Sequence, residues 1–283
     1  MCYNILCETA YSNYEKVKNM NDRCEILCHE VLQGPYRRIV FHAPEIAKTA
    51  KPGQFVHVRI LPLRDRILRR PFSICSADPE KGSLTVVYKI VGEGTDVLST
   101  MKPGDVCEIL GPQGNSYSMP GDDEKIYPIL VAGGYGSAST FFLAERLKQK
   151  GAFLTGARSG ADLLLIEEYR NLGFDVRIST NDGSVGHQGF VTDLLAHTLR
   201  EAGDRKPVIY ACGPEPMLIA LGKLALTLGV ECELSLDQRM GCGVGACFAC
   251  VIKVNDKTNA DGWRYSRSCK EGPVYNAKEV YLG

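Results

Sequence analysis

Three cysteines crowd into the glycine-rich stretch MGCGVGACFACV as Cys242-x4-Cys247-x2-Cys250, and a fourth, Cys269, follows after eighteen residues. Thiolates are soft ligands, so ligand type alone admits either iron or zinc. The spacing is that of the plant-type [2Fe–2S] pattern, C-x4-C-x2-C with a distant fourth cysteine. Structural zinc sites usually carry two short cysteine knuckles, and nothing near Cys269 supplies the second. Gly241, Gly243 and Gly245 let the loop take positive φ and bring backbone N–H groups close to a bulky anionic centre. The stretch therefore predicts a one-electron relay, with a zinc site and free thiols as the alternatives. Cys2, Cys7, Cys24, Cys28, Cys75, Cys107 and Cys232 stand singly or in loose pairs and read as thiols without a role.

Other stretches have the residue types of anion and nucleotide sites. In RRPFS, Arg69 to Ser73, an arginine that can fork onto phosphate oxygens precedes a rigid proline. VYKIVGEGTDVLS ends a strand with Gly92 and Gly94 and opens a helix at Thr95, so backbone amides and the helix dipole converge on one place. ILVAGGYGSAS runs strand, glycines, helix, in the manner of a dinucleotide turn, with Gly133, Gly134 and Gly136 allowing close backbone approach. YACGPEPM sets Cys212, Gly213 and Pro214 at another strand end, and STNDGSVGHQGFVTDLL adds Asp182 as a candidate contact to ribose or phosphate-linked groups. Each also has a plainer reading, as a rim charge, a capped helix or a tight strand-to-helix turn. His187 and His197 read as surface or packing residues.

The elements that must position these groups follow from pattern and punctuation. CEILCHEVL, YRRIVFHAP, GQFVHVRIL, RPFSICSAD, GSLTVVYKIV and DVCEILGP are short strands separated by Pro-Gly and Lys-Gly turns, which predicts a small antiparallel barrel. One short helix, Asp96 to Met101 with Thr95 as its N-cap, interrupts them. From Lys125 the rhythm changes: KIYPILVAGG, AFLTGARS, DVRISTND and PVIYACGP are apolar strands. SASTFFLAERLKQKG, ADLLLIEEYRNLG, VTDLLAHTLREAG and PEPMLIALGKLALTLG are the helices between them. That alternation predicts a parallel α/β unit with ligands at the strand C-termini. Past Cys232 about fifty residues rich in Gly and Cys remain, too few to bury a good core without a bound centre. The expected division is 1–122 for the barrel with an N-terminal extension, 123–232 for the α/β unit and 233–283 for the cysteine-rich tail.

Composition excludes several classes. Thirty-three basic residues balance thirty-three acidic ones, and 45% of the 283 residues are hydrophobic against 23% charged. This is an ordinary folded composition, without the basic stripe of a nucleic-acid binder. No apolar run has the length of a membrane span, and the first residues lack the basic end and apolar block of a secretory signal. Twelve cysteines without an export signal point to free thiols or ligands, and to the cytoplasm.

RRPFS resembles the Arg-x-x-Ser element of the ferredoxin reductase superfamily, whose barrel carries FAD. The resemblance implies that Arg70 meets the pyrophosphate, that Pro71 fixes the turn, and that Phe72 and Ser73 approach the flavin ring. It likewise implies that Val87, Tyr88 and Lys89 run along the ring, with Gly94 and Thr95 at the phosphates. In the same superfamily a cysteine at the position of Cys212, beside Gly213, faces the nicotinamide of NAD(H) or NADP(H). Relatives have a longer glycine run and a proline where this chain has Tyr135 and Ser137-Ala138-Ser139.

Barrel, nucleotide unit and [2Fe–2S] tail in that order, together with RMGCGVGACFACV, SCKEGPVYNAKEV and DGSVGHQGFVTDLL, resemble the electron-transfer subunit of type B dihydroorotate dehydrogenase over roughly residues 23–283. The twenty-odd leading residues and the insertion NDKTNADGWRYSR depart from that pattern. A nicotinamide gives up two electrons as a hydride while a two-iron centre takes one at a time, and a flavin converts between the two. The resemblance therefore implies a hetero-oligomer in pyrimidine biosynthesis. A separate FMN-bearing catalytic subunit oxidises dihydroorotate, and this chain passes the electrons through its [2Fe–2S] centre and FAD to NAD+. The alternatives are the redox subunit of another complex, of the bifurcating ferredoxin:NADP reductase or sulfite reductase type, and a flavin-free, metal-stabilised binding module.

Overall fold

The computed structural model describes residues 21–282 apart from 64 and 122; Cys2, Cys7 and the rest of the N-terminal extension lie outside the described residues. Six antiparallel strands close into a barrel: β1 (Asn21–Gln33), β2 (Tyr36–His42), β3 (Phe55–Arg59), β4 (Arg70–Asp78), β5 (Ser83–Lys89) and β6 (Val106–Gln113), in the order β1-β2-β5-β4-β3-β6. Closure pairs every strand on both sides and leaves no open edge. Ile26, Ile39, Phe41, Val56, Ile74, Val86 and Ile109 fill the interior. A short helix, α1 (Pro44–Thr49), covers one end with Ile46 and Ala47, an element that the strand pattern alone does not reveal. The second barrel helix, α2, runs Glu93–Thr100 and begins earlier than predicted. Thr95 is inside it, and its Oγ1 reaches back to accept the Val91 and Gly92 N–H groups at 2.9 and 3.2 Å.

The second sheet contains β7 (Ile126–Gly133), β8 (Ala152–Ala157), β9 (Asp175–Thr180), β10 (His187–Gln188), β11 (Lys206–Cys212) and β12 (Glu231–Ser235), all parallel. Every residue of β7 is buried, as a strand covered by helices on both faces must be. The helices are α3 (Gly136–Arg146), α4 (Ile166–Asn171), α5 (Val191–Glu201) and α6 (Glu215–Leu228). The helix expected over residues 161–173 is reduced to α4 because Leu165, at φ 60°, breaks the path after a 3-10 turn at Gly160–Asp162. The sheet order β10-β9-β8-β7-β11-β12, followed by a short strand of the tail at residues 274–276, reverses direction between β7 and β11. Such a switch point opens a crevice at the strand C-termini.

The tail is stitched into this framework. β13 (Val251–Asn255) and β14 (Trp263–Arg267) form a hairpin, and β15 (Val274–Asn276) pairs antiparallel with β12 as the last strand of the second sheet. The barrel and α/β unit are also joined directly. Phe142 of α3 is fully buried in the barrel cluster, and Arg146 donates to the Ala77 carbonyl at 2.8 Å. Tyr36 Oη and Lys89 Nζ both donate to Asp162 Oδ1, at 2.7 and 3.0 Å.

The switch point itself is built on glycine. A Cβ added to Gly136 would stand 2.1 Å from the Cys212 carbonyl oxygen, whereas one on Gly134 would meet nothing within 4 Å. Gly136→Ala is therefore expected to destabilise the protein by about 2–3 kcal/mol through backbone overlap. Gly134→Ala, at φ 54°, should cost about 1 kcal/mol for its left-handed backbone alone. Thermal melts of the two variants side by side check the order.

Candidate functional site

The cysteine loop between β12 and β13 is shaped by its own amides. Cys242 Sγ accepts N–H groups from Val244, Ala246 and Cys247 at 3.5, 3.3 and 3.4 Å, and Cys247 Sγ accepts the Cys242 N–H at 3.4 Å. Gly243 and Gly245 have φ of 72° and 83°, which lets successive amides turn inward on sulfur. Burial works to raise the Cys242 thiol, but the amides of Val244, Cys247 and Ala246 together with the Cys247 side chain bring it down to about 7. Cys250 and Cys269 form the second pair: the Cys269 N–H donates to Cys250 Sγ at 3.4 Å, and both side chains are buried against Phe55 and Met240. Burial, then the Cys250 thiol, push Cys269 up to about 12.

Two cysteine pairs are what a two-iron centre requires, since its four thiolates are shared between the irons. Arg267 braces the loop. It donates to the Gly245 carbonyl at 2.8 Å, lies over the Phe248 ring at 5.2 Å, and pairs with Glu271. Phe248 has φ 57° and is exposed beside Cys247.

The barrel brings the two anion-binding stretches together. Arg70 opens β4, and a Cβ on Gly94 would lie 2.3 Å from its Nε. The guanidinium therefore rests on the N-terminus of α2, where only glycine leaves room. This donor set, a cation over the first amides of a helix, suits a pyrophosphate. Pro71, Phe72 and Ser73 continue along one wall of a narrow crevice whose opposite wall is Ser235, Asp237 and Met240. Phe72 packs against Tyr88 at 5.6 Å between ring centroids. Tyr88 itself points into the barrel and meets His29 Nε2 at 2.9 Å. Val87 is buried on the other face, toward the α/β unit, and Lys89 is held by Asp162. The Thr95 hydroxyl is taken by its own helix turn, which leaves backbone as what this residue offers a ligand.

At the switch point, Gly133 and Gly213 pack on each other's backbone: a Cβ on Gly213 would stand 2.9 Å from the Gly133 nitrogen. With Gly136 against Cys212, two of that turn's three glycines, Gly133 and Gly136, serve strand-to-helix packing, and Gly134 alone faces open space. Cys212 is buried, and burial, then the Asp237 carboxylate, push its thiol up to about 12. The sulfur is thus held as a neutral thiol. Asp182 lies at the same edge of the sheet but after β9, three strands from β11, or about 14 Å away by strand spacing. It is exposed, and its Oδ1 accepts from the Ser184 amide and hydroxyl at 2.9 and 2.6 Å. The structure does not bring Asp182 and Cys212 together; they mark two ends of one edge.

Asp237 and His57 enter the site without a sequence signal, whereas Tyr135 is marked in the sequence by its place in the altered dinucleotide turn. Asp237 opens into the crevice, and the protein around it raises its carboxyl above the usual range. Tyr135, half-exposed at the head of α3, is raised by burial and by the nearby Asp237 and Cys212. His57 is buried in the barrel wall under the cysteine loop, where burial, then Arg69, bring it down to about 4.

Residues 237–281 match the family described as the iron-sulfur cluster binding domain of dihydroorotate dehydrogenase B, and residues 23–117 match the oxidoreductase FAD-binding domain. A Geobacillus kaustophilus protein named dihydroorotate dehydrogenase B (NAD(+)), electron transfer subunit, is 39% identical over 240 residues, 84% of this chain and 89% of that protein. A Fusobacterium nucleatum protein of the same name is 38% identical over 234 residues, 82% and 87% of the two chains. A chain in a solved structure of an NADH-dependent reduced ferredoxin-NADP oxidoreductase superposes with a TM-score of 0.78 at 28% identity, covering 92% of this chain and 90% of that one.

Proposed function

The chain belongs to the family of dihydroorotate dehydrogenase B (NAD(+)) electron transfer subunits, and from that premise we propose that it carries electrons from dihydroorotate oxidation in a separate catalytic subunit to NAD+. FAD, when bound, supplies the exchange between paired and single electrons, and the [2Fe–2S] cluster supplies a one-electron relay. Arg70 and the amides at the start of α2 would hold the FAD pyrophosphate, with Pro71, Phe72 and Ser73 setting the ring position. Cys242, Cys247, Cys250 and Cys269 would hold the cluster as two pairs. Gly134 would admit the dinucleotide at the switch point, Asp182 would meet its far end, and the neutral Cys212 would back the nicotinamide and help keep water out. The observation that carries this reading is the crevice itself, which has the Ser73 strand on one wall and the approach to the cysteine loop on the other.

The division of labour at residues 122 and 232 belongs to the same proposal, as does a cytoplasmic setting. Ten unpaired cysteines among the described residues favour a reducing compartment, and among the described residues no helix is long and apolar enough to cross a membrane. A second reading, a redox subunit serving another complex, is favoured by the likeness to the ferredoxin-NADP oxidoreductase chain.

The full chain purified without oxygen is expected to reduce ferricyanide with NADH and to leave dihydroorotate untouched. With its catalytic subunit co-expressed, it should support dihydroorotate-dependent NAD+ reduction. Dihydroorotate oxidation by the chain alone would reverse the assignment of roles, and a co-purifying subunit without dihydroorotate activity would favour the second reading.

A further inference from the structure

His57 lies in β3, fully buried, and neither of its ring nitrogens has a hydrogen-bond partner. Phe55, two residues earlier on the same face of the strand, packs against the imidazole at 5.6 Å between centroids and also touches the Cys250 and Cys269 cluster. The cysteine loop closes over the ring from outside the barrel. A Cβ built on Gly243 would stand 2.7 Å from both Cε1 and Nε2, so this edge of the imidazole faces the loop.

A neutral imidazole always carries one N–H, and an unpaired donor inside protein is costly to keep. Phe55, its neighbour on the same face, is apolar, so a hydrocarbon at position 57 would fill the wall without that cost. Arg69, a charged neighbour of the ring, cannot accept a hydrogen bond and gives its own donor to the Glu108 carbonyl at 3.0 Å. What the ring lacks is an acceptor on its loop-facing side, where Gly243 of the cysteine loop lies and no cysteine sulfur supplies one.

We infer that His57 turns its N–H toward the two-iron centre, whose own sulfides would supply the missing acceptor, and thereby sets how readily that centre accepts an electron. The inference rests on the reading of Cys242, Cys247, Cys250 and Cys269 as its ligands. Reduction adds negative charge to the centre, so a fixed donor beside its sulfurs favours the reduced form. His57 acts here on the potential of the relay and takes no part in hydride chemistry.

Redox titration of the complex with its catalytic subunit, followed by electron paramagnetic resonance, tests this with His57→Leu and His57→Gln. His57→Leu should shift the oxidised-to-reduced equilibrium of the cluster about tenfold toward the oxidised form, which is about 59 mV for one electron. His57→Gln keeps an N–H and should recover most of the shift, and the flavin potential should stay constant in both. In the unaltered protein, nitrogen-15 histidine should show hyperfine coupling to the reduced cluster, a readout that holds even if His57→Leu fails to take up iron. An unchanged potential in His57→Leu, or no nitrogen coupling in the unaltered protein, would overturn the inference. Absence of a [2Fe–2S] signal from the unaltered protein would instead overturn the reading of the ligands.

Discussion

Cys250→Ala is expected to remove the visible and paramagnetic signature of the iron centre and to leave FAD in place. Electron delivery to or from the catalytic subunit should fall at least roughly a hundredfold, because single electrons then have no relay between the subunits. NADH-dependent ferricyanide reduction, which needs only the nucleotide unit and the barrel, should persist within a few-fold. Cys250 is the most informative of the four because it is buried with Cys269 against Phe55 and accepts the Cys269 amide. Its removal therefore breaks a pair and also loosens the contact of the tail with the barrel. Cys247→Ala, at an exposed position, should lose the cluster with a smaller fall in melting temperature. Iron content, the reduced-state spectrum and the two activities, measured on one preparation, separate these effects. A Cys250→Ala protein that retains a full complement of iron would remove this residue from the ligand set.

Arg70→Ala is expected to weaken FAD retention by about a hundredfold, the loss of a forked, charge-assisted pair of hydrogen bonds to phosphate oxygens. Arg70→Lys should fall between the two, since a point charge replaces the fork. Gly94→Ala acts on the same group from below, because its methyl would overlap Nε at 2.3 Å and push the guanidinium aside. About tenfold weaker retention is expected there, the cost of displacing a flexible side chain. Flavin-to-protein ratio after gel filtration, followed by titration of the stripped protein with FAD, checks all three. Iron content should be unaffected, which distinguishes loss of the flavin cradle from general unfolding.

The parts of this architecture that could be read along the chain are those fixed by short-range physics. The unbroken apolar run Ile126–Gly133 could only be a strand covered on both faces, and the glycines after it could only be a tight turn. The six barrel strands are set off by turn residues that cannot continue a ladder. The cysteine spacing named its chemistry without help from the fold. What could not be read depends on residues far apart in sequence. Asp237 is a lone acid after a strand until the barrel supplies Pro71 to Ser73 opposite it. His57 reads as one more position in an apolar strand, because the cysteine loop that covers it comes nearly two hundred residues later. Lys89 pairs with Asp162, a partner whose placement depends on how the two units dock. Val274–Asn276 is too short to carry a pattern of its own, so its entry into the sheet has no local signal.

Since Val274–Asn276 seals the flank of Glu231–Ser235, the iron-bearing segment is no plug-in cassette. Excising it would bare a sticky ladder rim and invite self-association. Grafting a foreign ferredoxin in its stead would succeed only if the graft brought its own closing ribbon.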